Sequence, residues 1–376
     1  MLIVSMFGLA IAARAWGWRL SSNDMQVFLI PWFNALSVVG FRQLARPFSN
    51  YTPPYLYLLW LTTFTSTLLP KMSSIKSLSV LFDVANAVLV YRIVKFKYPQ
   101  GMIPLLGAGI FILLPTVVLD SAWWGQSDAI YTFFLLASFY MILQERRLSA
   151  LIYFGVALAF KLQAVFFGPF LLMLTLRRRI PWRYYMLVPA VYFGMMLPAI
   201  LVGRPIMQVL TIYLDQAGTY DKLSKKAPNI YQFISNDYYR LVAIIGFVVA
   251  VLMMLGWAFL YSRRPRGLDK DTLMLSAVLS LVLVPFLLPK MHERYFYPSD
   301  VFCLLLALYM PRLWFVPLIS LIVSLLTYSV YLFVDTHTYP MSAIVMLNTA
   351  AAINIVLISY MLWEQFCFTA EQEAYS

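Results

Sequence analysis

Long apolar runs recur from one end of the chain to the other, and short polar or basic segments separate them. A helix crosses a hydrocarbon core about 30 Å thick with roughly 20 apolar residues. The runs therefore predict membrane-spanning helices near residues 2–19, 54–70, 78–94, 102–119, 128–143, 184–202, 241–262, 272–289, 299–311, 313–334 and 341–363. The stretch 149–176 predicts two further short crossings, because Lys161, Gln163 and Gly168-Pro169 interrupt it. The pattern predicts an all-α polytopic membrane protein with about 11–13 transmembrane helices.

Composition supports the same class of protein. Of 376 residues, 62% are hydrophobic and only 12% are charged, proportions that lie outside the range of soluble domains. No long hydrophilic stretch leaves room for a separate soluble catalytic domain. We therefore predict a single transmembrane domain over 1–376, whose chemistry uses loops and helix ends.

The net charge of +12 indicates membrane orientation and not nucleic-acid binding, because the basic residues lie in short connectors between apolar runs. The positive-inside rule places on the cytoplasmic side the clusters at Arg146-Arg147, Arg177–Arg179, Arg263-Arg264 and Arg312. Counting crossings between these clusters places 120–128, Lys161, the long loop 203–239 and 290–298 together on the opposite side.

The amino-terminal third does not fit this alternation of sides, because counting the predicted crossings there would leave residues 20–53 in the cytoplasm. Two explanations remain open at this point. The apolar stretch 25–40 either crosses or dips into the membrane, or residues 78–119 contain a re-entrant segment.

Polar residues follow the first predicted helix at Ser21-Ser22-Asn23-Asp24, and Tyr51-Thr52-Pro53-Pro54-Tyr55 opens the next. A carboxylate at a membrane boundary can act as a general base. Asp24 is equally suited to cap the amino terminus of a helix that begins near residue 25.

A second polar segment, 120–128, combines two carboxylates, an amide and paired indoles: Asp120, Trp123, Trp124, Gln126 and Asp128. Carbohydrate sites use these groups, since aromatic faces stack on sugars while carboxylates and amides bind hydroxyls. The alternative is structural, because Trp favours membrane interfaces and Asp128 can cap the following helix.

Lys161 and Gln163 interrupt an apolar stretch, where a buried ammonium needs an anionic partner. A phosphate group is one candidate partner. An ion pair with an intramembrane carboxylate such as Asp83 is the structural alternative.

The densest charge cluster of the outer segments lies at 290–294, with Lys290, His292, Glu293 and Arg294. The His-Glu pair is not a zinc-hydrolase motif, because position 296 is Phe and not the second His. Two cations and an imidazole predict an anion site that suits phosphate. Snorkelling of interfacial side chains is the alternative.

The long outer loop 203–239 carries several lysines, among them Lys222, Lys225 and Lys226. Loops of this length are often functional. These lysines could meet lipid headgroups, the phosphate of another ligand, or solvent.

The order of these motifs resembles the GT-C superfamily of membrane glycosyltransferases, especially the bacterial group similar to GPI mannosyltransferases. The resemblance spans nearly the whole chain and is carried by Asn23-Asp24, YTPPY at 51–55, WWGQSD at 123–128, Lys161-Leu-Gln163 and MHERYFYP at 291–298. It implies a GT-C-like fold with amphipathic or re-entrant segments in a first outer loop, residues 20–53.

The resemblance also implies chemistry. It gives Asp24 the role of catalytic base in transfer of a hexose from a polyprenyl-phosphate donor, with inversion. The donor phosphate is expected at Lys161, Lys290, His292 and Arg294. The sugar or acceptor is expected at Asn23, Tyr51, Tyr55, Asp120, Trp123, Trp124, Gln126, Asp128, Gln163 and Glu293. No Asp-x-Asp pair lies near Asp24, so we predict no metal or other cofactor, and the question of a divalent ion stays open.

The expected partners are the lipid-phosphate donor, a lipid-linked glycan or other glycolipid acceptor, and membrane lipids. The expected location is the bacterial inner (plasma) membrane, in a multi-pass protein with its active site facing the periplasm or exterior. A flippase or transporter of lipid-linked glycans is the alternative from another class, and a polysaccharide polymerase is the alternative among enzymes.

Overall fold

The computed structural model describes residues 2–218, 221–264, 267–333 and 340–368. They confirm the all-α prediction. The α-helices of these residues are α1 (Leu2–Gly17), α2 (Ile30–Val39), α3 (Pro53–Thr63), α4 (Lys71–Lys97), α5 (Ile103–Leu113), α6 (Pro115–Val118), α7 (Asp128–Leu143), α8 (Arg147–Phe160), α9 (Gly168–Leu176), α10 (Leu187–Leu201), α11 (Ile206–Gly218), α12 (Tyr239–Ser262), α13 (Lys270–Leu287), α14 (Tyr297–Tyr309), α15 (Phe315–Phe333) and α16 (Met341–Trp363). Two short strands, β1 (Ser224–Lys225) and β2 (Met291–His292), pair in parallel.

The helices group into two compact units. The first unit comprises Met1–Val165 and Trp182–Thr219, and therefore holds α1–α8, α10 and α11. The second comprises Phe166–Pro181 and Tyr220–Ser376, with α9, α12–α16 and both strands. A single catalytic domain over 1–376 stays a prediction.

Seven helical segments of the described residues are long and apolar enough to cross a membrane. They are Met25–Ala45, Lys71–Lys97, Trp182–Leu201, Asn236–Ser262, Lys270–Leu287, Pro311–Phe333 and Met341–Cys367. One bent pair of helices and four shorter apolar helices bring the total in the described residues to twelve. The predicted range of 11–13 crossings therefore requires the shorter helices to be counted.

The described residues contain a candidate segment for each of the two explanations of the amino-terminal topology, and the choice between them stays a prediction. Met25–Ala45 is a continuous helical segment that qualifies as a span. Ile103–Leu113 and Pro115–Trp124 are bent by 51°, because Pro115 lacks a backbone N–H and disfavours the helical conformation at Leu114, which has φ −53° and ψ 126°.

Local structure elsewhere follows the polar interruptions of the sequence. The helical stretch 149–176 breaks as predicted at Lys161, whose backbone is extended with φ −155° and ψ 133°. The segment 203–239, predicted to be a long outer loop, is not simply a loop, since it contains the amphipathic helix α11. This helix buries Val209 and Ile212 and leaves Leu214 72% exposed.

A buried ion pair and its hydrogen bonds tie together four helical segments of the first unit, namely α1, α4, α5 and the turn Leu119–Trp124. Arg14 Nη2 of α1 lies 2.8 Å from Asp83 Oδ2 of α4, and Arg14 Nη1 donates to the carbonyl oxygen of Ile112 at 2.8 Å. Ser121 Oγ donates to the same Asp83 oxygen at 2.6 Å. Charges buried among apolar helices persist when they are paired and hydrogen-bonded in this way.

Arg14→Met should destabilise the protein by about 3–5 kcal/mol, because it leaves the Asp83 carboxylate buried without its cation. Thermal unfolding in detergent measures the effect, and Arg14→Met/Asp83→Asn should recover part of the loss. Arg92→Met is the matched control, since Arg92 lies exposed on α4. Equal melting temperatures for Arg14→Met and wild type would contradict the structural role of the pair.

Candidate functional site

Asp24 lies between α1 and a π-helical turn, Met25–Leu29, and its side chain is half-buried. It makes no capping hydrogen bond, so the N-cap alternative is wrong. Ser22 takes that place, because its Oγ accepts the backbone N–H of Met25 at 3.1 Å. The Asp24 carboxylate instead points to the turn at 124–126. Its Oδ2 accepts hydrogen bonds from Trp124 Nε1 at 3.1 Å and from Gln126 Nε2 at 2.7 Å.

The segment that presents these two donors is a second π-helical turn, Leu119–Trp124, closed by Gly125. Gly125 has φ +79°, in the left-handed region, and a Cβ added there would lie 2.4 Å from Met25 Cε. The left-handed backbone therefore favours glycine at position 125, whereas the contact with Met25 involves only the end of a flexible side chain. π-Helical turns are frequent at functional sites because they redirect side chains within a helix.

Two donors on one carboxylate oxygen fix the orientation of Asp24. Trp124 is fully buried and Gln126 is 2% exposed, so neither donor can swing into solvent without losing its packing. An exposed carboxylate would rotate freely. Asp24 is held in one direction while remaining partly accessible, which is what a general base requires.

Tyr51 connects this group to a second charged pair. Its hydroxyl donates to Gln126 Oε1 at 3.2 Å, and its ring lies 5.8 Å from Lys161 Nζ. Thr52 Oγ1 donates to the carbonyl oxygen of Phe160 at 3.0 Å and so holds the start of α3 beside the break at Lys161.

Lys161 Nζ lies 2.6 Å from Asp128 Oδ1, and both residues are buried. The partner is Asp128 and not Asp83, because Asp83 is taken by Arg14. The Lys161 ammonium also lies 5.5 Å from the ring centroid of Tyr131, a favourable arrangement for a buried cation.

The remaining predicted residues of the first unit differ in their burial and in their contacts. Asn23 is exposed, Asp120 is fully buried in the π-helical turn, and Gln163 is buried just after the helix break. Trp123 packs edge-on against Trp16, with ring centroids 4.9 Å apart. Tyr55 packs against Tyr51 at 4.9 Å.

Trp123 also depends on a glycine of α1. A Cβ at Gly17 would lie 1.8 Å from Trp123 Cδ1. The close approach of α1 to this indole thus requires glycine at position 17.

The second unit holds the predicted cluster at 290–294, and here sequence reasoning missed a contact. β1 and β2 pair Ser224 with Met291 and Lys225 with His292, and Lys226 forms a further bridge to His292. The pairing places Lys225 and Lys226 of the 203–239 segment next to His292 along the backbone.

Positive φ angles make this pairing possible. Lys226 has φ +62° and Lys290 has φ +65°, a conformation that non-glycine residues adopt at some cost. The backbone N–H of Lys290 donates to the carbonyl oxygen of Leu223 at 2.7 Å. Nothing in the residue types at 226 and 290 signals this geometry.

Lys290 and His292 contact aromatic rings, and Arg294 forms an ion pair with Glu293. Lys290 Nζ lies 5.1 Å from the Tyr239 ring centroid, and the His292 ring lies 5.1 Å from that of Tyr295. Arg294 Nη1 lies 3.8 Å from Oε1 of Glu293, which is 1% exposed. The cluster is partly accessible, positively charged and ordered by its own backbone hydrogen bonds.

Two observations bound the chemistry of these groups. Lys161 belongs to the first unit, whereas Lys290, His292 and Arg294 belong to the second, and their joint binding of one phosphate stays a prediction. Within the described ranges, no group of three or more His, Cys, Asp or Glu residues could hold a metal ion.

Asp128→Asn should destabilise the protein by about 3 kcal/mol, because it removes the carboxylate from a buried ammonium. Thermal unfolding measures this loss, and Lys161→Met/Asp128→Asn should lose less than the sum of the two single variants. Asp215→Asn, on the exposed side of α11, is the control. Additive losses would show that Lys161 and Asp128 do not stabilise each other.

Comparison with known proteins identifies the family. The sequence model of glycosyltransferase family 87 matches residues 48–288, more than half of the chain. No curated protein matches significantly. The matched range includes Tyr51, Gln126 and Lys161, whereas Asp24 and the 290–294 cluster lie outside it. The match confirms the predicted resemblance to membrane glycosyltransferases of the GT-C type. The chain is a multi-pass membrane protein that belongs to glycosyltransferase family 87.

Proposed function

We propose that the protein transfers a hexose from a polyprenyl-phosphate donor to a lipid-linked glycan or other cell-envelope acceptor, with inversion and with Asp24 as base. The observation that carries the proposal is the Asp24 carboxylate, whose Oδ2 is held by Trp124 Nε1 and Gln126 Nε2 in a chain of a glycosyltransferase family. A single oriented carboxylate suits direct displacement at the anomeric carbon.

In this mechanism Asp24 removes the proton of the acceptor hydroxyl as that oxygen attacks the anomeric carbon. A new C–O bond forms on one face of the sugar, and the bond to the phosphate oxygen breaks on the other. The electron pair of the broken bond leaves with polyprenyl phosphate, which departs as an anion. The transition state has oxocarbenium character, as in other glycosyl transfers, and no general acid is needed.

Stabilisation of the leaving phosphate falls to cations and hydrogen-bond donors. We assign this role to Lys290, His292 and Arg294, with Arg294 suited to bidentate contact. Lys161 is the fourth candidate, through an ammonium that contacts Asp128 in the structure.

The sugar and acceptor are assigned to groups with hydroxyl-binding chemistry. Tyr51, Gln126 and Asp128 supply donors and acceptors beside Asp24 and Lys161. Trp123 or Trp124 is assigned to stacking on the sugar, and Tyr55, which packs against Tyr51, is assigned to the same sugar or acceptor site. The same role is proposed for Asn23, Asp120, Trp124, Gln163 and Glu293.

The reaction is proposed to occur on the non-cytoplasmic face of a bacterial inner membrane. Charge counting between Arg146-Arg147 and Arg177–Arg179 supports this side for Lys161. A donor whose sugar is carried by a membrane lipid suits a catalytic carboxylate at a helix end of the membrane domain.

Asp24→Asn should lower transfer at least about 100-fold, because an amide cannot accept the acceptor's proton. The assay incubates purified protein with polyprenyl-phosphate hexoses and a membrane glycolipid extract. Asp215→Asn, an exposed carboxylate of the same unit, should transfer at the wild-type rate. Equal transfer by Asp24→Asn and wild type would rule out Asp24 as the base, and movement of intact glycolipid without transfer would favour a flippase.

Arg294→Gln should weaken stabilisation of the donor phosphate and lower kcat/KM for the donor about 10- to 100-fold, consistent with loss of a charge-assisted contact. Lys270→Gln is the control, because Lys270 is exposed in the same unit and lies outside both the 290–294 cluster and the 203–239 segment. Steady-state kinetics with varied donor concentration measure both variants. If both variants retain the wild-type kcat/KM, the cluster does not bind the donor.

A further inference from the structure

One face of α4 carries four buried polar side chains at Lys76, Ser79, Asp83 and Asn86. Their spacing places them within an arc of about 80° on a helix of 3.6 residues per turn. None is more than 2% exposed. Polar groups at such positions in an apolar helix are costly and persist where they have a structural or functional task.

The Lys76 ammonium donates hydrogen bonds to the backbone that precedes Asp24. Its Nζ donates to the carbonyl oxygens of Gly17 at 3.0 Å, Trp18 at 3.3 Å and Leu20. These carbonyls lie at the carboxyl end of α1, where the helix dipole favours a cation. Three carbonyls and the dipole offset the cost of burying the charge.

The segment pinned by Lys76 leads directly to the proposed base. Ser22 Oγ donates to the carbonyl oxygen of Trp124 at 2.9 Å and accepts the N–H of Met25. The segment is therefore fixed at residues 17–20 by Lys76 and at residue 22 by the turn that also holds Asp24.

The same helix face fixes that turn. Ser79 Oγ donates to the carbonyl oxygen of Gln126, Asp83 accepts from Ser121, and Asn86 Nδ2 donates to the carbonyl oxygen of Ala129 at 2.9 Å. The stem of Lys76 passes close to Gly125, where an added Cβ would lie 3.4 Å from Lys76 Cγ. Side chains of α4 thus hold both the segment that leads to the Asp24 carboxylate and the turn that carries its two hydrogen-bond donors.

We propose that Lys76 is a positioning residue for the reaction, acting through the backbone at residues 17–20 to set the direction of the Asp24 carboxylate; this rests on the proposed role of Asp24. Ser79 serves the same end by setting the position of Gln126. Small displacements of a catalytic group cost up to about 100-fold in rate. The loss should fall on kcat, because substrate binding does not involve Lys76.

The test compares Lys76→Met, which keeps the length of the stem and removes the ammonium, with Lys71→Met on the same helix. Lys71 is exposed and donates to Asn34 Oδ1 at 2.8 Å. Lys76→Met should lower kcat between about 10- and 100-fold with an unchanged KM for the donor. Lys71→Met should retain both constants. Thermal unfolding in detergent establishes that each variant is folded.

A folded Lys76→Met variant with the wild-type kcat, or with a raised KM and unchanged kcat, would overturn the proposal. If Lys76→Met does not fold, Ser79→Ala decides: a lowered kcat at constant KM supports the positioning role of this face, and wild-type kinetics refute it. Asp24→Asn is assayed in parallel. An active Asp24→Asn variant refutes the proposed base, whereas an inactive one beside wild-type-like Lys76→Met refutes only the positioning role.

Discussion

Polar side chains inside the helices of the first unit need partners within the protein, because apolar neighbours and lipid provide none. This constraint decides the geometry of the site. Asp83 forms an ion pair with Arg14 and accepts a hydrogen bond from Ser121, and Lys76 donates hydrogen bonds to the carbonyls at the end of α1. Each of these buried contacts joins a segment distant in sequence to α4. The helix thereby serves as the common reference for the two segments that meet at Asp24.

The site itself is built from irregular backbone. Asp24 precedes one π-helical turn, and its two donors follow another that ends at the left-handed Gly125. Such turns leave backbone groups outside the regular helical ladder, and they are kept where they serve a purpose. Here they aim an indole N–H and an amide at a single carboxylate oxygen. In a chain of a glycosyltransferase family, these contacts hold one carboxylate in a fixed direction at a helix end.

Apolar patterning was sufficient to predict the helical class and the break at Lys161, because bilayer thickness and the cost of a buried ammonium act locally along the chain. Pairings between distant residues were not predictable in the same way. Asp24 looked like a helix cap, but Ser22 makes that hydrogen bond. The ion-pair alternative for Lys161 named Asp83, which Arg14 occupies. The pairing of β1 with β2 depends on backbone angles that residue types do not reveal.

The proposed mechanism is a single displacement, in which one oriented carboxylate would activate the acceptor and no glycosyl-enzyme bond would form. The most direct test is NMR determination of the anomeric configuration in the product formed from a polyprenyl-phosphate hexose of known configuration. The account predicts an inverted anomeric centre in the first-formed product. A retained configuration would contradict it, because retention requires a second displacement or a different stabilisation of the sugar.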